Sequence, residues 1–154
     1  MIYCDYQQKK WIECALKYLP DEIYNQIEDN IAFTILKSDG FRLGKKVKNH
    51  KEVIVLSPWI FPSSYVTENH TQIRYLIFCI LHEVAHAICN HHPPDEISSE
   101  ENNKQEKEAT TFAYEWYNRY VKEYNADDLK ELTEKEILKH QEKNQNRLKK
   151  FLEY

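Results

Sequence analysis

A chain of 154 residues has the length of one ordinary domain and can bury a real core. A formal charge of −4 with 13% aromatic residues argues for a packed globular protein, and against a disordered chain or a broadly nucleic-acid-binding one. The longest purely apolar run, Leu76 to Leu81, falls far short of the roughly 20 residues that span a bilayer, so no membrane partner is expected.

The opening stretch MIYCDYQQKKW carries acid and base where a signal peptide needs an apolar core. Cys4, Cys14, Cys79 and Cys89 have neither zinc-ribbon nor CxxC spacing. A reduced, cytoplasmic protein is the simplest reading of both features. From Gln7 to about Asn30 the apolar spacing predicts two short amphipathic helices. Trp11, Ile12, Ala15, Leu16 and Leu19 mark the first, and Ile23, Tyr24 and Ile27 the second. Pro20, Asp21 and Glu22 separate them, the acids standing where a new helix start favours them.

The period then changes. Ile31 to Lys37 is rich in β-branched and aromatic residues, and Ser38-Asp39-Gly40 offers the Asp-Gly of a tight hairpin. Phe41 to Val47 predicts the returning strand, Lys48 to Lys51 a second turn, and Glu52 to Leu56 a third strand. The expectation is a three-stranded antiparallel meander. Ser57-Pro58 ends it, and Pro58 to Ser64 reads as an irregular loop expected to pass near the site described next.

Tyr75 to Cys89, YLIFCILHEVAHAIC, reads as a helix apolar nearly all round that nevertheless carries His82, Glu83 and His86. Placing two imidazoles and a carboxylate in such a helix costs several kcal/mol unless each finds a partner. At i and i+4 the two histidines share one face, where their ring nitrogens can take two corners of a zinc tetrahedron. Glu83 lies about 100° round the helix, within reach of a zinc-bound water without being a ligand. This is the H-E-x-x-H arrangement of zinc hydrolases, with Glu83 as general base.

Asn90 to Asn103 contains Pro93-Pro94 and reads as a loop, and the stretch from Asp95 to Glu108 holds six acids against two lysines. Ala109, Phe112, Ala113, Trp116, Tyr117 and Tyr120 then predict a helix from about Lys104 to Tyr120. The remainder, Ala126 to Tyr154, is highly charged with alternating signs and reads as one or two surface helices.

A hydrolytic zinc site takes three protein ligands. His92 stands where the third histidine of H-E-x-x-H-x-x-G-x-x-H would stand, but Cys89 replaces that motif's glycine and Met1 is the only methionine, so the downstream methionine turn has no residue. The other candidates are glutamates on the following helix, namely Glu106, Glu108 and Glu115, and the helical wheel leaves Glu106 and Glu108 both open, about 200° apart on either flank of the apolar face.

LHEVAHAI followed some twenty residues later by EKEATTFAYEW resembles the ImmA/IrrE family of small zinc metallopeptidases, whose hallmark is H-E-x-x-H and then E-A-x-x-F-A. Glu108 to Ala113 matches the second motif, with Thr110 where members commonly carry Asn. The resemblance covers roughly Ile31 to Tyr120. It implies Glu108 as third ligand beside His82 and His86, Glu83 as catalytic acid/base, and a gluzincin-like core. It further implies a protein substrate, a helix-turn-helix repressor being the family's kind.

The expected architecture is therefore α+β: a three-stranded antiparallel sheet packed on the HExxH helix, within one domain over residues 1–154. N-terminal helices would occupy 1–30, the catalytic core 31–120 and charged helices 126–154. The leading expectation is a zinc endopeptidase that binds peptide along an exposed strand edge. The alternative is a non-catalytic zinc-containing binding module with a closed four-ligand site using Cys89 or His92. A nucleic-acid-binding regulator lacks both a basic stripe and a helix-turn-helix signature. The residue that would donate a hydrogen bond to the transition state stays open among Tyr65, Tyr114, His91 and His92.

Overall fold

The first helix is started by its own sequence. Asp5 accepts from the backbone N–H groups of Gln7 and Gln8 at 2.9 Å each, while the Gln8 side chain accepts from the Asp5 N–H, a reciprocal cap that satisfies donors the helix cannot. Helix α1 (Tyr6–Leu16) buries Ile12, Ala15 and Leu16. Helix α2 (Asp21–Asn30) begins directly after Pro20, with Asp21 and Glu22 in its first turn. Both agree with the sequence reading. The computed structural model describes residues 2–35, 41–47, 51–62, 70–124, 130–139 and 142, with 41–47 and 51 described as backbone only.

Strand β1 (Ile2–Tyr3) precedes α1, and β2 (Ile31–Ile35) follows α2 without a break. Strands β3 (Phe41–Val47) and β4 (Lys51–Leu56) come next. The order across the sheet is β1-β2-β4-β3. β1, β2 and β4 run parallel, with Ile2 opposite Phe33 and Phe33 opposite Ile54. β3 is antiparallel to β4 and shifts register between Leu43 and Val47.

The expected antiparallel meander is thus corrected. The strand spans hold to within two residues, but β4 lies between β2 and β3, β2 pairs with it in parallel, and β1 adds an unexpected fourth strand. The physical reason is visible in burial. Ile31, Ala32 and Phe33 are consecutive and all buried, as are Ile54, Val55 and Leu56. Strands covered on both faces belong in the middle of a sheet and favour parallel pairing, whereas a one-sided meander would alternate. The long crossover that a parallel β1–β2 pair needs is supplied by α1 and α2. The α+β class stands. The Ser38-Asp39-Gly40 turn and most of the second turn lie outside the described residues.

After β4, Ser57 caps a 3₁₀ turn at Pro58–Ile60 by accepting from the Trp59 N–H. Phe61, next in the expected loop, is buried, and residues 63 and 64 at its end lie outside the described residues. Helix α3 (His70–Ile88) is the centre of the molecule, and Leu76, Ile80, Leu81, Val84 and Ala85 are fully buried. It packs on α1, on β4 and on helix α4 (Ser99–Tyr124). α4 faces it with a stripe of Gln105, Ala109, Ala113, Trp116, Tyr117 and Val121, and the two buried alanines let the helices approach closely. Residues 134–139 form a further helical stretch, opened by Thr133 and Glu136 in a second reciprocal cap. It is tied to α3 by an ion pair between Glu136 and the buried Arg74. Just before this stretch, Leu132 is buried and its N–H donates to Asn118 Oδ1 at 3.0 Å, while residues 126–129, 140–141 and 143–154 lie outside the described residues. No described helix is long and apolar enough to cross a membrane.

Candidate metal centre

The histidines of α3 lie on one face as their spacing requires, with 3.0 Å between His82 Nε2 and His86 Nε2. The third group at this point comes from α4, and it is Glu106. Its carboxylate lies 3.3 Å from His82 Nε2 and 3.5 Å from His86 Nε2. A hydrogen bond from His82 holds the Glu106 carboxyl below its ordinary range; partial burial pulls the other way, and the positive ends of His82, His86 and His91 add to the lowering. Glu106 is therefore a carboxylate near neutral pH, the form that coordinates metal.

Glu108, the ligand implied by the resemblance, is placed elsewhere. Its Oε2 is 3.1 Å from His91 Nε2, on the side of α4 turned toward the end of α3. Cys89, His91 and Glu108 form a second group of possible ligand atoms within 4.8 Å of one another, separate from His82, His86 and Glu106. His92 is exposed, with its Nδ1 3.9 Å from Glu96 Oε2, and takes no part in either group. Glu115 is exposed and belongs to neither. Glu83 is half-buried, one residue round the helix from His82. Of the candidate donors, Tyr114 packs edge-on against Phe78 and burial raises its phenol pKa, while Tyr65 lies outside the described residues.

The outer ring nitrogens of both histidines are also engaged. Thr110 Oγ1 lies 3.4 Å from His82 Nδ1, and His91 Nδ1 lies 2.9 Å from His86 Nδ1. Thr110 follows Glu106 by four residues, so one line of α4 presents both the carboxylate and the hydroxyl to His82. Sequence reading did not assign these two outer contacts. The Thr110 contact could have been found from the i+4 spacing, once Glu106 was chosen.

His91 reaches His86 through the end of α3. Asn90 adopts a left-handed backbone, φ 54°, the only positive φ outside glycine among the described residues. Its N–H donates to the Ala87 carbonyl at 3.3 Å and the His91 N–H to the His86 carbonyl at 3.0 Å. Those two bonds are the Schellman termination, in which glycine or asparagine supplies the left-handed turn. The chain does turn back after the HExxH helix, but at Asn90 instead of the position held by Cys89, and it returns His91 to the outer edge of His86.

The donor set fits zinc. With both Nδ1 atoms in hydrogen-bond range of outer partners, both Nε2 atoms and the Glu106 carboxylate converge at 3.0–3.5 Å, and a positive charge among them satisfies the cluster. A proton relieves two of the three groups. A divalent ion with N and O ligands relieves all three.

No family model, curated protein or solved structure matches the chain.

Proposed function

We propose that the protein is a cytoplasmic zinc-dependent endopeptidase of the kind its HExxH and EATTFA motifs resemble, with His82, His86 and Glu106 as metal ligands. The observation that carries this reading is the convergence of both Nε2 atoms on the Glu106 carboxylate, with both Nδ1 atoms engaged behind them. Zinc held there would supply a Lewis acid for a peptide carbonyl and lower the pKa of a bound water toward neutrality. Glu83 takes the proton of the attacking water and delivers it to the leaving amine. Thr110 orients the His82 ring, so that its Nε2 lone pair stays turned inward.

The binding-module alternative needs a closed four-ligand site. Neither Cys89 nor His92 joins the His82, His86 and Glu106 group among the described residues, and three protein ligands leave a position for water and substrate. The substrate is proposed to be a protein, cut in a linker or locally unfolded segment, because an extended-peptide cleft does not accept a folded helix. All six acids between Asp95 and Glu108 are exposed, which favours a basic partner such as the DNA-binding domain of a repressor. Metal analysis of the purified protein, repeated on the His82→Ala variant, tests the centre. Zinc at one equivalent in the parent and none in the variant is expected, and a metal-free parent overturns the proposal.

A further inference from the structure

Beyond the three inward-facing groups, His91 is a buried side chain beside the centre, 6% exposed and in hydrogen-bond range of two partners at once. We propose that His91 and Glu108 are positioning residues that fix the tautomer and ring orientation of His86, through the chain His86 Nδ1–H to His91 Nδ1 and His91 Nε2–H to Glu108 Oε2. This inference rests on the proposed metal centre and extends it.

Proton accounting gives the order of that chain. A neutral histidine that presents its Nε2 lone pair to a metal carries its proton on Nδ1, so His86 must donate from Nδ1. The group 2.9 Å away is His91 Nδ1, which must then accept. A neutral His91 that accepts at Nδ1 carries its own proton on Nε2, and 3.1 Å away stands the Glu108 carboxylate to receive it. With the His86 Nε2 lone pair given to a metal, every donor along this chain meets an acceptor. It is the carboxylate–histidine pattern behind metal-ligating imidazoles, lengthened by one ring.

The same accounting decides against the competing use of these residues. Cys89, His91 and Glu108 are close enough to hold an ion of their own. Neither nitrogen of His91 has a lone pair left for it, however, once His86 donates to one and the other donates to Glu108. The left-handed turn at Asn90 is what brings the ring there, since it places His91 directly after the helix stop with its N–H on the His86 carbonyl.

The test compares zinc affinity, by competition with a chromophoric chelator, for the parent, His91→Ala, Glu108→Ala and Glu108→Gln. Glu108 is half-exposed, so its variants leave no cavity and are expected to fold even where His91→Ala does not. His91→Ala and Glu108→Ala are expected to weaken zinc roughly 10–100-fold, the loss typical of an outer partner. Glu108→Gln keeps an acceptor oxygen and should recover most of that loss, which a purely structural role would not require. Two-bond ¹H–¹⁵N correlation spectra of the zinc-loaded parent should show His86 and His91 protonated on Nδ1 and Nε2 respectively. Parent-like zinc affinity in both folded alanine variants overturns the proposal, as does a thiolate-to-metal absorption on cobalt loading that Cys89→Ala removes. A parent that binds no zinc sinks the metal centre itself, whereas zinc binding indifferent to Glu108 sinks only the relay.

Discussion

Glu106 approaches His82 to 3.3 Å from one line of α4, while Glu108, two residues on, approaches His91 to 3.1 Å from another. The two glutamates thus divide the inner and outer sides of one centre. Glu106→Ala should therefore weaken zinc by more than the roughly 10–100-fold expected of Glu108→Ala, because it removes a proposed ligand and not a proposed outer partner. His92→Ala should leave zinc binding unchanged. Equal affinity in the Glu106 and Glu108 variants would contradict this division of labour.

How much of this was legible depends on whether the signal was local. His82 and His86 share a face by spacing alone, and α1 and α2 are separated by a proline, so both could be read from neighbouring residues. The choice between Glu106 and Glu108 is different in kind. It depends on how α4 is rotated against α3, which is set by the buried stripe through Ala109, Ala113 and Tyr117 packing on residues distant in sequence. Strand order is non-local in the same way. A turn signal such as Asp39-Gly40 suggests a reversal but not whether the strands it joins are neighbours, and β4 takes the place between β2 and β3. The buried run at Ile31 to Phe33 was the available hint of a central strand.

Glu83→Gln should keep zinc at the parent level and lose peptide hydrolysis by about 10²–10⁴-fold, since it removes the proposed proton acceptor and no proposed ligand. Parallel metal analysis and cleavage assays separate the two effects. Cleavage at the parent rate would remove Glu83 from the mechanism.

Asn90 should tolerate glycine and resist branched residues. At φ 54° a β-branched side chain meets the carbonyl that follows it, so Asn90→Val should destabilise the fold by about 1–2 kcal/mol in urea unfolding. Asn90→Gly should be close to neutral. If the turn also aims His91, the valine variant should lose zinc affinity in step with its loss of stability, and the glycine variant should lose neither.

The tie between α3 and residues 134–139 should weaken in acid. Partial burial raises the Glu136 carboxyl, but hydrogen bonds from Thr133 and the adjacent Arg74 guanidinium outweigh it and hold the group below its ordinary range. A depressed carboxyl contributes stability that is complete above its unfolded pKa of about 4.3 and is lost as pH falls through the lower folded value. Glu136→Gln should accordingly be less stable than the parent at pH 7 and show a shallower loss of stability on going below pH 4.5. Denaturation curves of both proteins across that interval measure it, and parallel curves would show that the pair contributes nothing.

The proposed substrate chemistry makes the strongest demand on the surface. Of the six exposed acids from Asp95 to Glu108, Asp95 and Glu96 lie on the segment that leads into α4 and the other four lie within α4 itself. Glu100 and Glu101 are paired with Lys104, Glu106 faces His82 and His86, and Glu108 faces His91, so the field available to a partner comes chiefly from Asp95 and Glu96. Between exposed charges that field is screened over about 8 Å at physiological ionic strength. It therefore acts on encounter with a basic chain and not on the bond-breaking step. Raising salt should lower kcat/KM for a substrate with a basic linker while leaving kcat nearly constant. A substrate of the same length with a neutral linker should show little salt dependence. Reversing Asp95 and Glu96 to lysine, well outside the ligand set, should abolish the difference between the two substrates. Mass spectrometry of the products should place cuts in linkers or locally unfolded segments, and cuts inside stably folded cores would exclude an extended-peptide cleft.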